Sequence, residues 1–169
     1  MVFVAILVAP NVLCSQNAAV DGQSCRAFVQ KFYDWYWNQF ADHANNSSYD
    51  MRKQHTYYEV ARLQPPVLSQ ELIRLIKRDE KLQEEAQGIA NLDFDPFLNT
   101  QDPEGKYLVN STTVADGQCQ AHFERRHLFA ELKKSGSTWS FTNFHYSFYT
   151  EDGKTKEAPD ADLIEILSQ

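Results

Sequence analysis

The sequence predicts an α+β fold in which N-terminal helices pack on one antiparallel β-sheet and a short helix closes the chain. Apolar residues recur at helical spacing twice in the first half of the chain, over residues 24–40 and 69–88. Over residues 106–148 apolar and polar residues alternate instead, as they do in strands. The chain has 169 residues, which is the size of one domain with a full core.

The first predicted helix is rich in aromatic residues on two sides. One stripe recurs at every third or fourth position and predicts a core-facing side, and Asp21 or Ser24 is expected to cap the N-terminus. A second row comprises Tyr33, Trp37 and Phe40. This row either packs in the core, lines a pocket or meets a partner.

The second predicted helix has the signals of a helix start and stop. Ser69 is the expected N-cap, Glu71 lies in the first turn where the helix dipole favours an acid, and Gly88 is the expected terminator. The predicted buried face comprises Leu72, Leu75, Ile76 and Leu82.

Three strands are predicted, over residues 106–114, 118–132 and 137–148, with hairpin turns at 115–117 and 134–136. The predicted inward face of the second strand comprises Cys119, Ala121, Phe123, His127 and Phe129. The third strand changes phase, which predicts a bulge near Asn143. Residues 151–160 are expected to form a loop, with Asp160 capping the last helix.

The net charge of −7 and the pI near 5.2 argue against nucleic acid as a partner, because binding phosphates requires a concentrated basic surface. The five histidines show no zinc-ligand spacing. No metal and no cofactor are therefore predicted.

The N-terminal segment is apolar. Its first 13 residues carry no charged side chain but are shorter than the roughly 20 apolar residues that span a bilayer. Residues 1–20 are predicted to be a signal or targeting segment, and residues 21–169 a single domain. Alternatives are a lipidated Cys14 or a buried N-terminal strand. The expected location is the periplasm, the outside of the cell or a membrane surface.

The cysteines are consistent with export. Removal of the N-terminal segment would leave Cys25 and Cys119, and two cysteines in an exported domain predict one disulfide bond. Two buried free thiols are the alternative.

Residues 91–105 carry the densest polar pattern. Oxygen-bearing side chains occupy five ligand positions of a twelve-residue calcium loop, namely Asp93, Asp95, Asn99, Gln101 and Glu104. However, Leu98 replaces the glycine that the sharp turn of such a loop needs, and Pro96 interrupts it. We therefore expect a stiff connector anchored on the core by Phe94, Phe97 and Leu98.

Weak catalytic candidates come from this loop and the last strand. His145 and Asn143 share one face of the predicted strand, and His145 could pair with an acid of the loop to move protons. The candidates are His145, Asp93, Asp95 and Asp102. The alternative is a surface or hydrogen-bonded structural histidine.

Three segments together, CRAFVQKFYDWYW, LDFDPFLNTQDP and WSFTNFHYS, resemble a bacterial family known as domain of unknown function 3828. The resemblance covers residues 25–167 and departs over 41–60 and 151–159. It implies an exported or lipid-anchored protein. It also implies an NTF2-like architecture, in which helices close a curved antiparallel sheet into a cone with a cavity. It supplies no catalytic residues.

These observations favour an exported cell-envelope module that binds another envelope protein or a small apolar ligand without catalysis. Its membrane contact would be limited to an N-terminal anchor. The candidate partner surface comprises Tyr33, Trp37, Phe40, Asn143 and Gln101. Alternatives are an NTF2-like enzyme or carrier that uses the cone cavity, and an immunity or inhibitor protein with acidic protrusions at 151–152 and 160–162.

Overall fold

The computed structural model describes residues 11–44, 56–86, 90–100, 105–124, 128–149 and 155–169. Its side chains are described over 19–39, 57–86, 90–100, 105–124, 128–147 and 162–169. The helices are α1 (Asn11–Ala44), α2 (Thr56–Val60), α3 (Gln70–Ala86) and α4 (Leu163–Ser168). The strands are β1 (Val109–Ala115), β2 (Gln118–Phe123), β3 (Leu128–Ser135), β4 (Thr138–Tyr149) and β5 (Thr155–Asp162).

The five strands form one antiparallel sheet in the order β1-β2-β3-β4-β5. The α+β class is thus confirmed. Both predicted hairpin turns are confirmed as well. Asp116 and Gly117 have φ of 51° and 72° between β1 and β2, and Gly136 has φ of 61° between β3 and β4. Positive φ favours glycine and short polar residues at such turns.

The prediction of one strand over residues 118–132 is wrong, because the chain turns after Phe123 and returns as β3. Because of this turn, the core-facing residues fall on odd-numbered positions in β2 and on even-numbered positions in β3. Leu128 and Ala130 face the core opposite Tyr146 and Phe144, so Phe129 lies on the outer face of the sheet rather than beside Cys119. His127 lies outside the described residues.

The predicted bulge near Asn143 is confirmed. Leu132 pairs with Phe141, whereas the preceding Glu131 pairs with Asn143, so β4 contains one extra residue. The bulge keeps four aromatic residues of β4 on the core side, and these are Trp139, Phe141, Phe144 and Tyr146.

The predicted loop at 151–160 is wrong in its second half, because β5 begins at Thr155. The strand was not predicted because its charged residues and its proline are typical of loops, although both are also common in edge strands. The cap of α4 is Asp162 rather than Asp160. Its Oδ1 accepts a hydrogen bond of 2.9 Å from the Glu165 N–H.

Helix α1 is longer than predicted, with 34 residues that run without a break. Asp21 and Ser24 lie inside it, so neither is its N-cap. The Ser24 hydroxyl instead donates to the Asp21 carbonyl oxygen over 3.0 Å. The helix also crosses position 20, where the targeting segment was predicted to end; that segment remains a prediction. Within the described ranges, no helix has the length and apolarity needed to cross a bilayer.

The core lies between the sheet and the helices α1 and α3. Cys25 and Cys119 form a buried disulfide bond that joins α1 to β2, which confirms the predicted pairing. Ser69 caps α3 as predicted, since its Oγ accepts from the Leu72 N–H over 3.2 Å. Leu72, Leu75 and Ile76 are buried, while Leu82 is half-buried and the predicted terminator Gly88 lies outside the described residues.

Candidate functional site

Residues 90–100 form the described part of the connector that the sequence predicted over residues 91–105. Asp95 closes a tight turn, because its Oδ1 accepts from the N–H groups of Phe97 and Leu98 over 2.9 and 3.1 Å. Phe97 and Leu98 are buried, and Phe94 packs against the core. The side chains that looked like interruptions of a calcium loop are therefore anchors. Within the described parts of the chain, no cluster of three or more potential metal ligands occurs.

Four tyrosine hydroxyls hold this connector against α1 and the sheet. From α1, Tyr36 donates to Asp95 Oδ2 over 2.5 Å and Tyr33 donates to the Phe97 carbonyl over 2.8 Å. Tyr146 donates to the Pro96 carbonyl over 2.9 Å, and Tyr107 donates to the Leu98 carbonyl. The hydroxyls come from α1, from β4 and from the segment before β1. The connector thus joins elements that are distant in sequence.

Asp95 is the charged centre of this arrangement. Burial raises the pKa of its carboxyl from 3.8 to about 6, although the hydrogen bonds from Tyr36, Phe97 and Leu98 oppose that rise. Burial also raises the pKa of Tyr36 well above 10.0, so its hydroxyl remains a neutral donor. Both carboxyl oxygens of Asp95 accept hydrogen bonds from the protein itself, which gives the residue a structural role.

A second buried polar cluster, which the sequence reasoning missed, lies between α2, α3 and the connector. Asp79 is fully buried, and its two oxygens accept from the Tyr58 hydroxyl over 2.9 Å and from the Asn91 N–H over 3.0 Å. Gln83 donates to the Leu92 carbonyl over 3.0 Å. Ile76, Asp79 and Gln83 follow one another at steps of three and four residues, so they continue the buried stripe of α3. This spacing is the sequence signal from which the buried polar cluster could have been predicted.

The outer face of the sheet carries a row of stacked rings. His122, Phe129 and His145 occupy paired positions on β2, β3 and β4. The ring centroids of Phe129 and His145 are 4.4 Å apart at an interplanar angle of 7°, and those of His122 and Phe129 are 5.2 Å apart at 28°. All three side chains are half-buried. We call these three residues the outer-face row.

Two polar side chains flank the outer-face row. Glu131 Oε2 lies 3.3 Å from Nε2 of His145, and Glu131 Oε1 accepts from Gln120 Nε2 over 3.2 Å. The His145 nitrogen is enclosed but does not meet the carboxylate at the angle of a hydrogen bond. The face therefore combines one phenyl ring and two imidazole rings with one carboxylate and one amide.

The predicted pairing of His145 with Asp95 is wrong. Tyr146, the next residue in β4, points to the core side and binds the connector at Pro96, so His145 points to the opposite side of the sheet. Its acidic neighbour is Glu131. Asp93 is exposed on the connector, and Asp102 lies outside the described residues.

Two of the five residues of the predicted partner surface, Tyr33 and Asn143, are buried. Tyr33 is 1% exposed and stacks on Tyr107 in the core, and Trp37 is half-buried. Asn143 is buried, and its Oδ1 accepts from the Ile164 N–H over 3.2 Å, which ties β4 to α4. Gln101 and the Phe40 side chain lie outside the described residues.

The comparisons with known proteins give no relative for this chain: no family model, no curated protein and no solved structure matches it.

Proposed function

We propose that this protein is an exported, non-catalytic interaction module of the bacterial cell envelope and that the outer-face row is its binding surface. The observation that carries the proposal is the stack of His122, Phe129 and His145 on the face of the sheet opposite the core. The exposed face of an antiparallel sheet is usually polar, whereas aromatic rings are enriched in protein interfaces.

Export is supported by the disulfide bond between Cys25 and Cys119, because such bonds persist in oxidising compartments. The absence of catalysis is part of the proposal. It is supported by the way the buried polar groups are used, since Asp95 and Asp79 accept hydrogen bonds from the scaffold through both oxygens.

We also propose that the chain has the NTF2-like cone that its resemblance to domain of unknown function 3828 implies. Two observations support the cone. Helix α1 and the connector lie on one face of the sheet, and β1 and β4 each contain a register shift. Bulges bend strands, and bent strands give a sheet the curvature that a cone requires.

A second candidate function is that of an enzyme or carrier with a ligand inside the cone. The buried pair of Asp95 and Tyr36 favours it, because carboxyls with a raised pKa cluster at functional sites. Native mass spectrometry separates the two functions. A small-molecule mass that is retained in the native state and lost on denaturation would support the carrier and count against the interaction module.

A crosslinking experiment in the intact cell envelope tests the main proposal. We expect a crosslinked adduct of defined mass that is lost when the row is disrupted by Phe129→Ser together with His145→Ser. The matched control is Gln118→Ser together with Lys133→Ser, a cross-strand pair of exposed residues on the same face. An adduct that survives disruption of the row would contradict the proposal.

A further inference from the structure

The exposed side of α3 concentrates positive charge in a protein that is acidic as a whole. The net charge of the chain is −7, yet four basic residues lie at helical spacing on the side of α3 that faces away from the core. All four side chains are exposed. We call these four residues the basic stripe, and they are Arg74, Lys77, Arg78 and Lys81.

Ion pairs within the protein account for one member of the basic stripe. Lys81 Nζ lies 3.4 Å from Glu85 Oε1. The other three members form no ion pair among the residues that the structure describes. The neighbouring acid Glu80 does not compensate them, because it binds Arg62 over 2.5 Å. Most of the charge of the basic stripe is therefore uncompensated.

The stability of α3 does not account for the basic stripe. Like charges three or four positions apart repel each other on the surface of a helix, and the members of the basic stripe have this spacing. The helix dipole favours basic residues in the last turn. The last turn of α3 has no basic residue and contains Glu84 and Glu85 instead. The arrangement therefore fits the binding of an anionic group better than it fits stabilisation of the helix.

The surroundings of the basic stripe limit the size of an anionic partner. The stripe is about 10 Å long, since its ends lie seven residues apart. Glu71 precedes it and Glu84 and Glu85 follow it, and all three are exposed. A membrane surface or a long polyanion would meet these acids and the other acidic groups of the chain, which would repel it. A short anionic segment can contact the basic stripe alone.

We propose that the basic stripe binds a short acidic segment of a partner protein. Carboxylates suit the two arginines, because a guanidinium group binds a carboxylate through two parallel hydrogen bonds. Glu84 and Glu85 repel the segment, so the contact is centred on Arg74 and Arg78 and ends before the last turn of α3. This inference concerns a different surface from the outer-face row and goes beyond the proposed function.

Two synthetic peptides test the recognition of charge. One is a short helical peptide whose glutamates have the spacing of the basic stripe, and the other has glutamines at the same positions. In calorimetric titrations at low salt, we expect a dissociation constant of roughly 10–100 µM for the glutamate peptide and at least about tenfold weaker binding of the glutamine peptide. Salt at about 0.15 M should weaken the first interaction by screening. Equal affinities, or no binding of the glutamate peptide, would overturn the proposal.

Variants of α3 locate the contact. Arg74→Gln together with Arg78→Gln should raise the dissociation constant of the glutamate peptide at least about tenfold. The matched control is Lys31→Gln together with Lys106→Gln, which removes the same charge from exposed positions on α1 and before β1. Because like charges in the stripe repel each other, the stripe variant should unfold at the temperature of the wild type or above it. Equal weakening of binding by both variants, or a less stable stripe variant, would overturn the proposed contact.

Vesicles of phosphatidylglycerol distinguish a membrane from an acidic segment. At about 0.15 M salt, we expect the wild type to remain in solution when the vesicles are sedimented. Binding to the vesicles that is lost in the stripe variant, without binding to the glutamate peptide, would assign the basic stripe to a membrane surface and overturn the proposal.

Discussion

At Asp95, the cost of burying a charge competes with the hydrogen bonds that the charge accepts. Its carboxyl closes the connector turn and binds Tyr36, yet burial raises its pKa to about 6. The folded state therefore binds this proton more tightly than the unfolded state. The contribution of Asp95 to stability is fully present below about pH 4 and is lost as the pH rises through about 6.

The variant Asp95→Asn tests this balance. The shift of the pKa from 3.8 to about 6 corresponds to at most about 3 kcal/mol of stability lost by the wild type between pH 4 and pH 7. The amide does not titrate, so the variant should lack this loss. Chemical denaturation at pH 4, 5.5 and 7 measures the difference in the free energy of unfolding. Parallel pH profiles would contradict the role assigned to Asp95.

The tyrosines around the connector should differ in their pH dependence. Tyr36→Phe removes a bond to a carboxylate and should cost about 1.5–3 kcal/mol at pH 7 and less at pH 4, where Asp95 is protonated. Tyr33→Phe removes a bond to a neutral carbonyl and should cost about 0.5–1.5 kcal/mol at both pH values. Urea denaturation of the two variants measures these costs. An equal pH dependence would argue against an ionised Asp95 at pH 7.

Among the elements, the sequence predicted best those whose signals are local. The cap at Ser69, the turn at Asp116–Gly117 and the bulge near Asn143 all follow from residue types and alternation. β5 and the turn after Phe123 were missed, because pairing with a neighbouring strand overrides local composition. Helix α2 was missed for a similar reason. A helix of five residues is not stable by itself, and α2 is stabilised by the burial of Tyr57 and Tyr58.

The disulfide bond is the element-level link with the largest expected effect. Cys25 and Cys119 are separated by 94 positions, so the bond should stabilise the fold by about 4 kcal/mol in the chain-entropy account. Replacing both residues with alanine should lower the midpoint of denaturation by a corresponding amount. A reducing agent should destabilise the wild type and leave the double variant unchanged. An unchanged midpoint in the double variant would show that the bond contributes no stability.

At the scale of the whole molecule, the candidate site was less predictable than the fold. The sequence identified His145 but not its neighbours, because the ring contacts join β2, β3 and β4 and depend on the strand register. It also placed Tyr33 on a partner surface, whereas Tyr33 is buried in a second contact of α1 with the core, where it stacks on Tyr107. A single helix pattern cannot distinguish a second core contact from an exposed row.

The central claim is that the outer face of the sheet binds a partner. Its most direct test is a photo-crosslinking residue at Gln120, next to the outer-face row, compared with one at Glu84 on the exposed side of α3. In the intact envelope, we expect an adduct of one defined mass from position 120 only, and its loss when Phe129→Ser is added. Adducts at both positions, or an adduct at position 120 that persists with Phe129→Ser, would contradict the claim.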